Sequence, residues 1–540
     1  MSRFEPDMDD GSPTPEASGG SGPSDCKRLK RAAAADMFWR NLLPAIPACA
    51  ALVVAQGAEL RLRVVDSETA QPLPCRVHLK NTEGRAIRAE RLPFWHDHFV
   101  CPGVAQLDLS PGEYRYEIER GPEWTQASGT LAVSESGAQI VTNRLRRVAN
   151  LAREGWWSGE LHVHRPLADI ELLMRAEDLH VAPVITWWNN RNLWTNSALP
   201  ANPLVRFDGN RFYHLMGGED ERGGGALLYF NLSQPLNIAG AAREYPSPMK
   251  FLAEARQHAG VWVDIEKPFW QDVPVWLASG KVDSIGIAHN HMHRGGVMAN
   301  EAWGRARDKQ RFPGSQGNGF WTQEIYYHIL NCGLRLPPSA GSASGVLPNP
   351  VGYDRVYVHL DGELSCEKWW DGLKAGRVFV SNGPLLRCRA NGQLPGHVFT
   401  AQPGQTLEIE MQAKLDSRDP IPAMEIIQNG RVARTVPFTE WKRSGSLGSL
   451  RFTEGGWFLV RALADVPTTF RFASTGPFYV EIGSATRRVS KASAQFFLDW
   501  TRERMKQIKL DDPQQREEVL RFHRDAERFW QEKVAQANAE

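Results

Sequence analysis

GELHVH (159–164) is the first of seven apolar runs that stop abruptly in polar or aromatic residues between residues 151 and 385. The others are VAPVITWWNN (181–190), FYHLMGGED (212–220), ALLYFNL (226–232), VWVDIEKP (261–268), DSIGIAHNH (283–291) and RVYVHL (355–360). Segments between them, such as ADIELLMRAEDL (168–179) and SPMKFLAEARQHA (247–259), place apolar residues at helical spacing. Alternating strand and helix over this length predicts a β/α barrel or a distorted version of one, with the site at the C-terminal strand ends. Those ends hold His162, His164, Glu219, Asp264, Glu266, Lys267, His289 and His291.

On either side the pattern is all-β. Residues 59–150 alternate apolar and polar in short runs such as ELRLRVVD and EYRYEIE, separated by turn signals including Ser110-Pro111-Gly112. Residues 386–489 repeat that character, with a hairpin expected at Asn429-Gly430. Two β-sandwich modules are therefore expected to flank the 151–385 region. Residues 490–540 read as helix, with Asp512 as N-cap, Pro513 in the first turn and an apolar stripe through Val519, Leu520, His523, Phe529, Trp530 and Val534. That stripe is assigned to packing, with no chemistry.

Residues 1–36 are rich in Gly, Ser, Pro and acids and are expected to be disordered. MFWRN followed by LLPAIPACAALVVA and QGAE then reads as a secretory signal over 37–58, with cleavage near Ala55 or Ala58 and Met37 as a candidate start. The expected location is secreted or periplasmic. No later apolar run approaches the roughly 20 residues of a spanning helix, so no membrane span is expected once the signal is removed.

Lys plus Arg number 63 against 62 for Asp plus Glu, a net charge of +1. Nucleic acid is thereby excluded as an expected partner, since no basic field is available to neutralise phosphates. Seven cysteines are too few for a disulfide scaffold. Cys75 and Cys101 fall in one β module and could pair in an oxidising compartment, whereas Cys332, Cys366 and Cys388 read as buried thiols. Tryptophan is over-represented, with 19 in the chain and 12 of them between Trp156 and Trp370. An aromatic-walled cleft lined by Trp187, Trp188, Trp270 and the adjoining Asn189 is one reading of that excess, and core packing is the other.

His162-Val163-His164 sets two imidazoles on one face of a strand, because side chains repeat every second residue. With Glu219 they form a candidate metal set, to which His291 is a possible fourth ligand or acid/base. Mixed nitrogen and oxygen donors suit zinc, manganese or iron. Lys267 is read as a contact for developing negative charge, with Glu266 beside it as a further catalytic candidate. A salt bridge between the two is the structural alternative. PSAGSASG (338–345) is a loop able to approach a ligand with its backbone, without the spacing of a nucleotide motif.

GWWSGELHVHRP (155–166), with RAEDLHVAPVITWW, GGED, IEKPFW and AGSASG, resembles the PHP-type metallohydrolases (the polymerase and histidinol phosphatase superfamily), and within them the CehA/McbA-like branch. The resemblance spans roughly residues 151–385 and implies a distorted (β/α)7 barrel, a metal cluster at its mouth, and hydrolysis of esters, amides or phosphoesters. His162, His164 and Glu219 match the family's ligands. Trp187-Trp188 stands where the family has Asp-His, Lys267-Pro268 where it has His-Pro, and Gly341-Ser342-Ala343-Ser344-Gly345 where it has Gly-Ser-Asp-x-His. One divalent ion rather than three is therefore expected.

Together these readings describe an exported α/β plus all-β chain, whose PHP-like barrel hydrolyses an ester, phosphoester or carbohydrate-derived substrate. The alternative is a non-catalytic glycan-binding or cell-surface protein with a pseudoenzyme barrel. The oligomeric state is left open.

Overall fold

The computed structural model describes residues 58–135, 138–483 and 487–540. The extension at 1–36 and the signal at 37–58 lie outside the described residues, apart from Ala58. The fold is mixed α/β, with many strands in several sheets and a C-terminal pair of helices.

At the N-terminal end, a three-stranded sheet (Val104–Leu109, Ala58–Asp66, Gln139–Leu145) and a five-stranded one (Phe94–Trp95, His98–Cys101, Cys75–Asn81, Gly112–Glu119, Ala127–Val133) share one apolar core. Alternation in the sequence explains that core. Along Val104–Leu109 every second side chain is buried, so Leu107 and Leu109 point inward while Gln106 and Asp108 face solvent. Cys75 and Cys101 face each other across the sheet with their sulfurs unbonded and 3.6 Å apart.

In the central region, strand Val181–Trp188 runs parallel to Arg211–Arg222, placing Trp188 opposite Glu219. Trp262–Ile265, Ser284–His289 and Pro338–Gly341 follow as parallel neighbours. Strand Gly225–Phe230 departs from strict strand–helix alternation. It turns back antiparallel on Arg211–Arg222, pairing Arg222 with Gly225, and then lies antiparallel to Trp262–Ile265. The physical reason is the Gly223-Gly224 turn, too short for a crossover helix. On the far side, Trp156–Gly159 pairs antiparallel with Arg355–His359. The chain just beyond it is pinned on both sides, with Val163 bridging Val184 and Ser344 in parallel.

The sheet continues from Val378–Ser381 into Phe472–Thr475 and so into the C-terminal β strands. These share a core with a separate three-stranded sheet of Leu385–Ala390, Leu407–Asp416 and Ser446–Phe452. The Asn429-Gly430 hairpin pairs Gln428 with Arg431, and both turn residues have positive φ, at 51° and 86°.

Helices Lys491–Gln507 and Pro513–Ala535 close the chain. Asp512 caps the second by accepting the backbone N–H groups of Gln514 and Gln515. The pair docks on the central region through Trp530, whose indole N–H donates to Pro274 O at 3.0 Å. Arg504 and His523 both meet Asp272 there. Among the described residues, no helix is long and apolar enough to cross a membrane.

Candidate metal centre

Residues 161–164 are held extended from both sides. Leu161 N–H donates to Ala340 O at 2.9 Å, His164 N–H to Ser344 O at 2.8 Å, and Ile185 N–H to Val163 O at 2.8 Å. Val163 therefore turns into the apolar cluster with Val184, and His162 and His164 share the opposite face with ring centroids 5.0 Å apart. The 338–345 segment, expected as a ligand-facing loop, is instead the partner strand and its continuation. Glu160 holds it in place, accepting the backbone N–H of Ser342 at 2.6 Å with one oxygen and that of Gly352 with the other.

Close approach explains two glycines of this region. A Cβ on Gly341 would lie 2.4 Å from His162 Cβ, and one on Gly218 only 1.8 Å from Trp187 Cε2. Both positions need the missing side chain, so that His162 and Trp187 can lie on the neighbouring backbone.

Glu219, where its strand stops pairing with Val181–Trp188, meets both imidazoles. Its Oε2 is 3.3 Å from His162 Nε2 and 3.0 Å from His164 Nε2. Tetrahedral ligation at roughly 2.0–2.2 Å puts donor atoms about 3.3–3.6 Å apart, and the two separations to Glu219 Oε2 lie at or just under that edge. The donors, two imidazoles and a carboxylate, fit a divalent ion of the zinc class. His162 Nδ1 lies 3.3 Å from Glu266 Oε1 yet makes no hydrogen bond. That is the position from which an outer carboxylate orients a ligating ring.

Burial opposes charge throughout. It disfavours the cation of His162, but the Glu219 and Glu266 carboxylates outweigh it and raise the ring to about 10. Burial likewise opposes ionisation of Glu219, and His162 and His164 overcome it to hold the carboxyl at about 2. His164 is shifted down, by burial first, with Glu219 only partly opposing.

The other expected site residues fall around this trio. Both Glu266 oxygens accept from the Lys267 ammonium, so the salt-bridge alternative is the one realised, and the ammonium lies 4.5 Å from the Trp270 ring centre. Trp270 is buried and donates its indole N–H to Glu266 at 2.8 Å, with its face on Trp303. It orients the acid and lines no open wall. Trp187 is buried as well, stacked on Tyr229 at 5.9 Å. Its indole nitrogen has no hydrogen-bond partner, and the ring borders a cavity of about 330 Å³ shared with Asn189, Arg191 and Trp194. Trp188 lies against His164 at 5.0 Å with Arg191 over its face. Asn189 accepts the backbone N–H of Glu221.

His291 is not brought into the trio. It packs on Phe269 at 5.4 Å beside His289, with its Nδ1 unpartnered. Burial, then Lys267, holds it well below the ordinary imidazole value. His289 is occupied by Thr322 at 2.9 Å. Asp264 accepts from the Ser284 and Ser339 hydroxyls, away from the trio.

Two groups escaped the sequence reading. One is Glu160, inside the GELHVH run itself. The other is Glu221, whose carboxyl is raised to about 8 by burial and then by Glu219. Glu221 was accessible in principle, because it lies two residues beyond Glu219 on the same strand face. No protein-family model matches the chain, and no curated protein matches it.

Proposed function

We propose that the chain is an exported, metal-dependent hydrolase of the PHP type, with one divalent ion held by His162, His164 and Glu219. The observation that carries this reading is the convergence of His162 and His164, from one extended segment, with Glu219 from another strand, at separations that suit one ion. The bridges of Val163 to Val184 and to Ser344 support the barrel part of it, because they join the first strand of the region to two others. The apolar stretch within 37–58 supports export. Zinc, manganese or iron would supply Lewis acidity toward an ester or phosphoester oxygen.

The chain's own groups would do the remaining work. Glu266, fixed by Lys267 and Trp270, orients His162. The Lys267 ammonium, held by both Glu266 oxygens, fixes the carboxylate that faces His162. Trp188 and Arg191 form the rim next to His164, where a carbohydrate-derived or aromatic group would stack.

A second reading, a metal-free binding site in a pseudoenzyme, is favoured by one observation: the Glu266 carboxylate beside His162 is already neutralised by the Lys267 ammonium, so the cluster carries an internal counter-ion without a metal. A panel of aryl esters and phosphoesters assayed with added Mn²⁺ or Zn²⁺ separates the two readings. Turnover that is lost on chelation and in His164→Ala supports the hydrolase. Polysaccharide binding with no turnover anywhere in the panel rejects it.

A further inference from the structure

We infer a second divalent-cation site in the N-terminal β module, formed by His78, Asp97 and His98. It is independent of the central site.

Strands Cys75–Asn81 and His98–Cys101 pair antiparallel, with Cys75 opposite Cys101, Arg76 opposite Val100 and Val77 opposite Phe99. The next step of that register sets His78 opposite His98, and their ring centroids are 5.1 Å apart. Cys75, Val77, Phe99 and Cys101 turn into the core of the module. The histidines lie on the other face, where helix Ile170–Glu177 packs on both strands. Both are buried, at 5% and 1% exposure.

Asp97 Oδ1 stands 3.0 Å from His78 Nδ1 and 3.4 Å from His98 Nδ1. These separations bracket the roughly 3.3 Å edge of a tetrahedral site. The His98 approach is a long hydrogen bond, but hydrogen bonding leaves both ring nitrogens of buried His78 without a partner. A buried polar nitrogen without a partner is costly and uncommon in folded proteins. An unpartnered His78 Nδ1 at ligand–ligand distance from Asp97 Oδ1, with His98 Nδ1 beside the same oxygen, is what an ion among the three requires.

Lys80 engages the other oxygen, Asp97 Oδ2, at 3.0 Å and so turns Oδ1 toward the rings. Arg76, the nearest buried cation, is paired with Glu119 and Glu177. The Asp97 side chain is 25% exposed, which gives an ion a way in. Two imidazoles and one carboxylate select a zinc-class ion over magnesium or calcium. The site lies between strands and against a helix, so its role is to fix the module's sheet on the central region.

The test uses Zn²⁺ alone. Protein is dialysed against chelator-buffered Zn²⁺, and bound metal is measured in wild type, Asp97→Asn, His78→Gln and His162→Ala/His164→Ala. Asp97→Asn is near-isosteric and is expected to keep the wild-type circular dichroism, so it remains informative if His78→Gln fails to fold. The expected result is loss of one zinc equivalent in Asp97→Asn, with affinity at that site falling by more than the roughly 10–100-fold typical of outer-shell changes. The double variant at the central residues keeps that equivalent. Failure of the central-site reading would appear separately, as a wild type holding one equivalent that only the Asp97 and His78 variants lose. Equal zinc in wild type and folded Asp97→Asn overturns the inference.

Discussion

Gly341→Ala tests the central site without removing any ligand. The added Cβ would lie 2.4 Å from His162 Cβ and 3.1 Å from its backbone nitrogen. Carbon atoms rest at about 3.5–4.0 Å, so the two strands must part by about 1 Å or more. Metal sites tolerate ligand displacement of about 0.2 Å. The substitution should therefore move His162 Nε2 out of the shared coordination position while leaving His164 and Glu219 in place. Overpacking of this kind costs roughly 1–3 kcal/mol of stability. The displaced ring should weaken Zn²⁺ binding about 10–100-fold, or about 1.4–2.7 kcal/mol. Zinc affinity is read by competition with a chromogenic chelator, and stability by the urea midpoint. Gly295→Ala is the control, since a Cβ there meets nothing within 4 Å. A folded Gly341→Ala protein with wild-type zinc affinity would refute the reasoning, because the position of His162 would then not matter to the ion.

Further outcomes follow from the same structure. With His162 held at about 10, an ion must displace its proton, so zinc affinity should rise about tenfold per pH unit between about pH 7 and 10; a flat profile there would contradict a proton on His162 in the metal-free protein. Burial opposes ionisation of Glu119, but Arg76 and Arg418 outweigh it and hold the carboxyl at about 2. A depressed carboxyl contributes stability above its unfolded value near 4.3, on the order of 3 kcal/mol here, and loses it as the pH falls through about 2. Glu119→Gln should thus flatten the acid limb of the urea midpoint, and an unchanged limb would count against the pairing. Trp530→Ala removes a fully buried indole stacked on Phe497 at 4.7 Å, and should cost about 3–5 kcal/mol and expose the C-terminal helices to protease. Cys75 and Cys101, with sulfurs 3.6 Å apart and 26 positions apart in sequence, should join under mild oxidation and gain about 3–4 kcal/mol. Two free thiols after oxidation and denaturation would contradict that.

Much of this fold was legible because period and position act locally. The two-residue repeat of His162 and His164 fixes their common face, the alternation in Val104–Leu109 fixes its inward side, and Asp512-Pro513 fixes a helix start. The Arg222–Gly225 hairpin has its signal in the Gly223-Gly224-Gly225 run, but the regular alternation of strands and helices elsewhere in 151–385 outweighs it in a reading by pattern. Long-range pairing carries no local signature. Nothing near Glu160 in the text reveals that it clamps Ser342 and Gly352, more than 180 residues away. For the same reason His78 and His98, in unremarkable strands, become neighbours only through the register of the sheet. Trp270 shows the opposite error: an aromatic side chain suited to a ligand wall is used to orient a buried acid.

The central claim is convergence on one ion, and anomalous scattering at the zinc edge from crystals grown with Zn²⁺ tests it most directly. The account predicts a peak about 2.0–2.2 Å from His162 Nε2, His164 Nε2 and Glu219 Oε2 together. Density at those three atoms with no anomalous peak between them, under conditions that load the protein with zinc, would contradict it.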